Sequence, residues 1–297
     1  MIVAQLGAAP GGLAGPSRPH PGPTWIGIRM REQSGHVYIA HVLKQSPALC
    51  AGLRDGDEIL QVARSPQKTP RGVSEIIAKS EQRPIHMQIA RNGAMLDLAI
   101  TPAPRPTDGE LARLDLLGAP LPALHTLPAL RGTAPTRAEL VGHVVLVEHG
   151  ATWCGPCRDS AALLQALRAR FPATSLVVLG VTREGGDKVA AAYALQGAHE
   201  STHGAPFTVL RDEQGDVSGG ASVSLLPTFV LYGPDGAARW VHAGGGLELA
   251  AMLNAQVERA IASPLAPMPS AVLPERDHCG QSKAADAVHT QRAVGTE

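Results

Sequence analysis

The sequence predicts an α/β domain that follows a smaller, mainly β domain. Residues 118–262 alternate apolar strand-like runs with amphipathic helical stretches, which is the pattern of an α/β domain. Residues 25–102 alternate short strand-like runs with turn signals. Prolines and an Asp-Gly pair punctuate residues 103–117, which we expect to form a linker.

Length and charge exclude several classes of protein. A chain of 297 residues is long enough for two domains, and 44% of its residues are hydrophobic, which is enough to fill ordinary cores. The formal net charge is zero and no basic stripe is present, so we expect no nucleic-acid partner. No apolar run is long enough for a membrane span.

Both ends of the sequence lack hydrophobic periodicity. Residues 1–24 are rich in Gly, Pro and Ala and predict a flexible leader, while residues 263–297 predict a disordered tail. The first basic residue is Arg18, and the apolar stretch before it is short and broken, so no export signal is visible. The sequence leaves the compartment open: the lack of a visible signal is compatible with the cytoplasm, and a truncated start would be compatible with the periplasm or envelope.

A pair of closely spaced cysteines marks the candidate site. Residues 143–149 read as a mostly buried strand, and residues 150–153 as a turn. The segment 154–157 then opens a helix, because Leu164 and Phe171 continue one helical face.

The order of these elements predicts the chemistry of the two thiols. Cys154 lies at a helix N-terminus, where backbone N–H groups and the helix dipole lower a thiol pKa, so we expect it to be the exposed nucleophile. Cys157 lies one turn further and can resolve a mixed disulfide on Cys154. Pro156 presets φ for the first helical turn, and Gly155 lets the turn close tightly.

Two other interpretations of the cysteine pair stay open. A structural zinc site would need two further ligands, whereas Cys50 and Cys279 stand alone in the sequence. A purely structural disulfide would close too small a loop to stabilise the chain much. We interpret Cys50 as a core packing residue and Cys279 as an incidental thiol.

The segment Trp153-Cys154-Gly155-Pro156-Cys157 resembles the active site of the thioredoxin superfamily. Residues 142–158 are most similar to its TlpA-like and redoxin branch, and the resemblance extends over about residues 115–262. It implies a thioredoxin-like three-layer domain whose redox group is its own disulfide, with no further cofactor. It also implies a protein or small-thiol disulfide as substrate and an electron-donor protein that the sequence does not identify.

Two further matches extend the candidate site. Leu226-Pro227 is similar to the family's cis-proline segment, which implies that Pro227 lies opposite the disulfide and that the Leu226 backbone pairs with substrate. Glu148 occupies the position where many thioredoxins hold a buried acid. A carboxyl buried there would have a raised pKa and could accept the proton of Cys157. The alternative is an exposed or salt-bridged glutamate at a strand end.

The sequence also departs from the family pattern. His149 and Gly150 replace common aromatic residues, and we interpret His149 as packed or solvated. The family's acid after the second cysteine has only Asp159 nearby. Val147 and Ala151 stand where the peroxiredoxin branch has Pro and Thr, which argues against peroxide reduction.

The N-terminal domain resembles a PDZ domain of the bacterial protease-associated kind. The matching segments are residues 25–28, 37–42, 46–53, 55–62 and 91–93. This resemblance implies that backbone N–H groups of Ile26, Gly27 and Ile28 bind a terminal carboxylate. A C-terminal peptide would lie in a groove beside the helix around Val73 and Ile77. The alternative is a groove that is empty or filled by the chain's own tail.

The leading hypothesis is therefore a thiol–disulfide oxidoreductase of the thioredoxin type, with a PDZ module that recruits a protein. The competing hypothesis is a non-catalytic adaptor or scaffold in which the thioredoxin-like domain is an interaction surface.

Overall fold

A computed structural model of the chain describes residues 23–187, 189, 207–215, 217 and 223–262. Most of the predicted leader and all of the predicted tail lie outside these ranges.

The strands follow one another along both domains. Their bounds are β1 (Thr24–Trp25), β2 (Ile28–Gln33), β3 (His36–Val42), β4 (Glu58–Val62), β5 (Ser65–Pro66), β6 (Ile85–Arg91), β7 (Ala94–Ile100), β8 (Ala103–Pro104), β9 (Ala129–Arg131), β10 (Val144–His149), β11 (Leu176–Thr182), β12 (Thr208–Arg211), β13 (Thr228–Tyr232) and β14 (Ala238–Ala243).

The helices differ widely in length. Their bounds are α1 (Pro47–Cys50), α2 (Pro70–Lys79), α3 (Asp108–Leu116), α4 (Arg137–Leu140), α5 (Gly155–Arg170) and α6 (Leu249–Ala262), with a 3-10 turn at Leu124–Thr126.

The N-terminal domain is an antiparallel sheet in the order β2-β3-β4-β6-β7, with β5 paired to β4. Alternate side chains of the central strands enter one core, where Val37, Ile39, Ile59 and Met87 are almost fully buried. Strand β2 forms one edge of this sheet and so presents a free side for a further strand.

The C-terminal domain is built on a mixed sheet in the order β14-β13-β10-β11-β12-β9, in which β10, β11 and β12 run parallel. One face of the sheet packs on α5 and α6, and the other packs on α3 and α4. Strand β10 shows the division, because Val144 and Leu146 enter the first core while Val145 and Val147 enter the second. The layers therefore stack as the expected three-layer thioredoxin-like domain.

The predicted linker, residues 103–117, is an ordered connection. Strand β8 pairs with β1, and α3 begins with a capping box in which Thr107 and Glu110 exchange hydrogen bonds. Leu111 on α3 packs with Trp25 and Leu43 of the N-terminal domain.

Candidate active site

The two cysteines are joined where β10 gives way to α5. Cys154 is the N-cap of α5 and forms a disulfide with Cys157, at a Cα–Cα distance of 5.3 Å. The backbone N–H of Cys157 donates to Cys154 Sγ at 3.2 Å. Gly155 and Pro156 form the first helical turn between them. Sulfur therefore takes the place that a Ser or Asp side chain fills at ordinary helix N-termini.

The expectation of an exposed Cys154 is wrong for this oxidised form. Cys154 is 4% exposed and Cys157 is 8% exposed. The disulfide turns both sulfurs toward each other, and the pair packs against Ala151 and Leu226. Trp153, the neighbouring residue, is 71% exposed and stands beside the covered disulfide.

The carboxyl of Glu148 lies behind the disulfide. Glu148 is 5% exposed, so it is not a solvent-exposed strand end. Its neighbours across the sheet are Gly180 on β11 and Phe229 on β13. A Cβ atom added to Gly150 would lie 3.5 Å from Cys157 Sγ and 3.8 Å from Glu148 Cδ. The sulfur and the carboxyl thus flank Gly150, where a larger residue would come between them.

The proline segment lies against the disulfide. The Leu226–Pro227 peptide bond is cis, as the resemblance implied, and Leu226 packs against the cysteines. The carbonyl of Pro227 accepts the N–H of Gly244 at 2.7 Å. A Cβ atom on Gly245 would lie 3.2 Å from Pro156 Cβ. The proline segment, the 244–246 loop and the start of α5 therefore converge around the disulfide.

A cavity of about 660 Å³ opens beside this cluster. Its lining includes Trp153, Leu226, His149 and Glu184. The Glu184 carboxylate accepts hydrogen bonds from the Thr152 N–H at 2.5 Å and from Thr152 Oγ1 at 2.7 Å, which ties the segment after β11 to the turn before Cys154. The lining of the cavity mixes apolar and polar side chains, as sites for small groups or side chains do.

His149 belongs to the packed interior of the site. It is 6% exposed, and burial lowers its pKa to about 4, against the opposing charge of Asp212. The imidazole is therefore neutral near pH 7.

The sequence did not predict two contacts of the site. Ser160 Oγ donates a hydrogen bond to Glu148 Oε1, and Glu184 binds Thr152. Ser160 could have been found, because it follows Cys157 by three residues and so shares its helical face. Glu184 carried no comparable signal, since its contact depends on the pairing of β10 with β11.

The interpretation of Cys50 as a packing residue is wrong, because its thiol is oxidised in a disulfide. Cys50 is half-buried at the end of α1, whereas Ala48 fills the core position nearby. The predicted incidental thiol, Cys279, lies outside the described residues.

Backbone hydrogen bonds fix the predicted carboxylate-binding loop to neighbouring segments of the domain. The carbonyl of Ile26 accepts the N–H of Ala48, and that of Gly27 accepts the N–H of Leu43. Gly27 has φ +82°, and a Cβ atom there would come within 2.2 Å of Ser46 Cβ, so only glycine fits. Its neighbour Ile28 begins the edge strand β2.

The predicted groove residues on α2 require a correction. Val73 and Ile77 are 0% and 6% exposed and point into the domain core. Helical periodicity instead leaves Ile76 only partly buried, as are Ile28 and Met30 on β2. Of the apolar side chains named here, these three are therefore the ones that are not fully buried.

The described residues contain no cluster of three or more His, Cys, Asp or Glu side chains that could hold a metal ion. They also contain no helix with the length and hydropathy of a membrane span.

Each of the two domains matches the model of a known protein family. The model of the PDZ domain matches residues 24–101, and the model of the AhpC/TSA family matches residues 117–241. No curated protein matches the chain.

Several solved structures are similar to parts of the chain. A thiol:disulfide interchange protein, DsbE, from Chlorobium tepidum is 25% identical over 49% of this chain and 97% of its own, with a TM-score of 0.39. A secreted Mycobacterium tuberculosis disulfide oxidoreductase is 23% identical over 44% of this chain and 92% of its own, with a TM-score of 0.37. The HtrA-type protease AlgW, solved with a decapeptide, is 22% identical over 28% of this chain, with a TM-score of 0.27. The chain spans only 30% of that protease. By sequence match and by architecture, the chain carries a mainly β, PDZ-like domain followed by a thioredoxin-like redoxin domain that matches the model of the AhpC/TSA family.

Proposed function

We propose that this chain is a thiol–disulfide oxidoreductase whose redox group is the Cys154–Cys157 pair itself, without a further cofactor. The observation that carries the proposal is the position of Cys154 Sγ, which caps α5 and accepts the N–H of Cys157. In the reduced protein the same N–H and the helix dipole would stabilise a Cys154 thiolate, which is the nucleophile in disulfide exchange.

The reaction proceeds by two exchanges. The Cys154 thiolate attacks one sulfur of a substrate disulfide, forms a mixed disulfide and releases the other substrate sulfur as a thiolate. Glu148 then accepts the proton of the Cys157 thiol, and the Cys157 thiolate attacks Cys154 Sγ. The second substrate sulfur leaves, and the Cys154–Cys157 disulfide forms. One electron pair has passed to the substrate, and a dithiol donor protein restores the cysteines by the reverse exchanges.

The surroundings of the disulfide favour a polypeptide substrate. Trp153 is 71% exposed and Leu225 is 41% exposed, beside a cavity large enough to take a side chain. Leu226 packs against the cysteines, which places its backbone beside the disulfide. An extended chain that presents a disulfide to Cys154 could pair with this backbone. We assign Leu226 and Pro227 to substrate positioning on this basis.

The PDZ domain would recruit a partner through a free C-terminus. Strand β2 is a sheet edge that can accept a further strand, and the loop Ile26-Gly27-Ile28 leads into it. Ile76 on α2 and Met30 on β2 offer apolar contacts for side chains of the bound peptide. A peptide ending in a carboxylate should bind, and its C-terminal amide should bind much more weakly.

An oxidising compartment such as the periplasm suits this chain. Cys50 is held in a disulfide apart from the redox pair, and disulfides of that kind persist mainly outside reducing compartments.

Insulin reduction in the presence of dithiothreitol tests the proposed activity. The wild type should reduce insulin, and Cys154→Ser should lose at least about a hundredfold in rate, because the attacking sulfur is gone. Cys157→Ser should instead accumulate a mixed disulfide with the substrate, whose partner mass spectrometry would identify. Equal rates for the wild type and Cys154→Ser would support the adaptor hypothesis.

A further inference from the structure

Behind the disulfide, a buried hydroxyl contacts the carboxyl to which the proposed mechanism gives the Cys157 proton. We propose that Ser160 is a positioning residue that holds Glu148 toward Cys157 and remains hydrogen-bonded to it before and after proton transfer. This inference rests on the proposed function and assigns a role to a residue outside the recognised motif.

The helix places the serine beside the reacting thiol. Ser160 follows Cys157 by three residues on α5, so both side chains project from one helical face toward β10. Ser160 is 1% exposed, and its Oγ donates to Glu148 Oε1. The same Oγ lies 2.9 Å from the carbonyl oxygen of Cys157. One hydroxyl thus has two acceptors within reach.

A hydroxyl group can serve both protonation states of the acid. It carries one donor hydrogen and two acceptor lone pairs, and it rotates freely about its C–O bond. While Glu148 is ionised, the hydrogen of Ser160 points to the carboxylate. After Glu148 takes the proton of Cys157, its new O–H can donate to Ser160 Oγ, and the serine hydrogen turns to the Cys157 carbonyl. The proton moves between two groups and no heavy atom has to shift.

The apolar surroundings give this hydrogen bond its importance. Phe229 across the sheet and Leu164 further along α5 are each 0% exposed, and the α6 side chains that enter the same core are apolar. A buried carboxylate that loses a hydrogen bond in such a place cannot readily replace it with water. Ser160 therefore stabilises the ionised acceptor, the form that the mechanism requires.

The elements packed around this site carry few other ionisable groups near Glu148. Arg158 and Asp159 on α5 are exposed, away from the core. His242 on β14 lies in the same row of the sheet, beyond Phe229, and burial lowers its pKa, so it is neutral near pH 7. The Cys157 sulfur and the Glu148 carboxyl both lie close to Gly150, so the Cys157 thiol is the ionisable group nearest to this side of the carboxyl.

The test compares Ser160→Ala with the wild type in the full chain. Insulin reduction measured against pH should show the acid limb of Ser160→Ala moved upward by about one to two pH units, the range expected from loss of a hydrogen bond to a charged group. The direction follows because a less stabilised carboxylate is protonated at higher pH and then cannot accept the thiol proton. Ser80→Ala is the matched control, since Ser80 is a buried serine whose Oγ donates to a helix carbonyl in the PDZ domain. Its profile should match the wild type.

A second readout separates this inference from the proposed function. Infrared titration of the reduced protein, with the Glu148 band assigned by its loss in Glu148→Gln, should show the same upward shift in Ser160→Ala, whether or not insulin is reduced. A wild type that does not reduce insulin would defeat the proposed function alone. An unshifted Glu148 band in a folded Ser160→Ala protein would overturn the role of Ser160.

Discussion

Glu148 and His149 are consecutive on β10, and the alternation of a strand sends their side chains to opposite faces of the sheet. Glu148 meets Ser160 on α5, whereas His149 lines the cavity on the other face and feels the charge of Asp212. One short strand thus supplies a hydrogen-bonded acid to the disulfide and a desolvated imidazole to the cavity.

The buried imidazole predicts a loss of stability in acid. The folded-state pKa of His149, about 4, lies below the ordinary value of 6.5, so the unfolded chain binds the extra proton more tightly. His149 therefore costs no stability above pH 6.5, and its penalty grows to about 3 kcal/mol as pH falls toward 4. His149→Gln should unfold in urea with a weaker dependence on pH across this range. His143→Gln, a less buried histidine of the same domain, should behave as the wild type, and identical slopes in all three proteins would contradict the assignment.

In the PDZ domain, the buried carboxylate of Asp57 pairs with the partly exposed guanidinium of Arg91. Asp57 is 1% exposed, and its two oxygens accept hydrogen bonds from Arg91 at 2.7 and 2.8 Å and from the Arg54 N–H at 2.8 Å. Asp57→Ala should lower the free energy of unfolding of this domain by about 2–3 kcal/mol, because Arg91 and the Arg54 N–H lose their hydrogen-bond acceptor. Urea denaturation followed by hydrogen exchange would measure the loss. Asp97→Ala, which removes the exposed partner of His86, should cost less than about 1 kcal/mol.

Helix α5 carries the disulfide, the serine and an apolar anchor on one element. Leu164 and Leu167 are 0% and 2% exposed and pack in the core beneath β10. Because the sulfur of Cys154 caps the same helix, a shift of α5 would change the geometry of both cysteines.

Loss of the anchor should destabilise the whole C-terminal domain. Leu164→Ala removes a fully buried side chain and should cost about 3 kcal/mol of unfolding free energy. Leu163→Ala, one residue earlier and only partly buried, should cost clearly less. Urea denaturation followed by circular dichroism compares them. Equal losses would show that the register of α5 differs from the one described.

Local sequence signals predicted most of the elements around the site. The strand and helix on either side of Cys154 follow from apolar periodicity, and the hairpin at Asn92-Gly93 follows from turn chemistry, since both residues have positive φ. The burial of Glu148 could be inferred only from the family resemblance. The contact of Glu184 with Thr152 could not be predicted, because it depends on strand pairing between distant residues.

Helix α3 joins the two domains into one molecule. It packs on β14 of the redoxin domain, while Leu111 contacts Trp25 and Leu43 of the PDZ domain. His41 Nε2 lies 2.7 Å from Asp115 Oδ1, across the boundary between the PDZ domain and α3. The sequence predicted the two domains, but at residues 103–117 its prolines indicated only a linker. The contacts of α3 with the PDZ domain could not be predicted, because they join residues that are far apart in the chain.

The interaction between the PDZ domain and α3 should weaken as pH rises. The hydrogen bond with Asp115 raises the pKa of His41, with support from Asp55 and against desolvation and the charge of Arg29. A raised folded-state pKa means that the stabilisation is complete below about pH 6.5 and disappears as pH rises through the folded value. Trypsin should therefore cut the 103–117 segment faster at pH 8.5 than at pH 6, relative to a denatured reference. His41→Gln should remove this difference, and His36→Gln, at an exposed pair with Glu58, should keep it. A persistent difference in His41→Gln would contradict the assignment.

The central claim is that the start of α5 makes Cys154 the reactive thiol of an exchanging pair. Alkylation of the fully reduced protein with iodoacetamide across pH, quantified for each cysteine by mass spectrometry, tests it most directly. Cys154 should react about ten times faster than Cys157 near pH 7. Its rate should rise with pH and reach a plateau before the pH reaches the ordinary thiol pKa of about 8.5. Equal rates for the two thiols, both still rising through pH 8.5, would contradict the account.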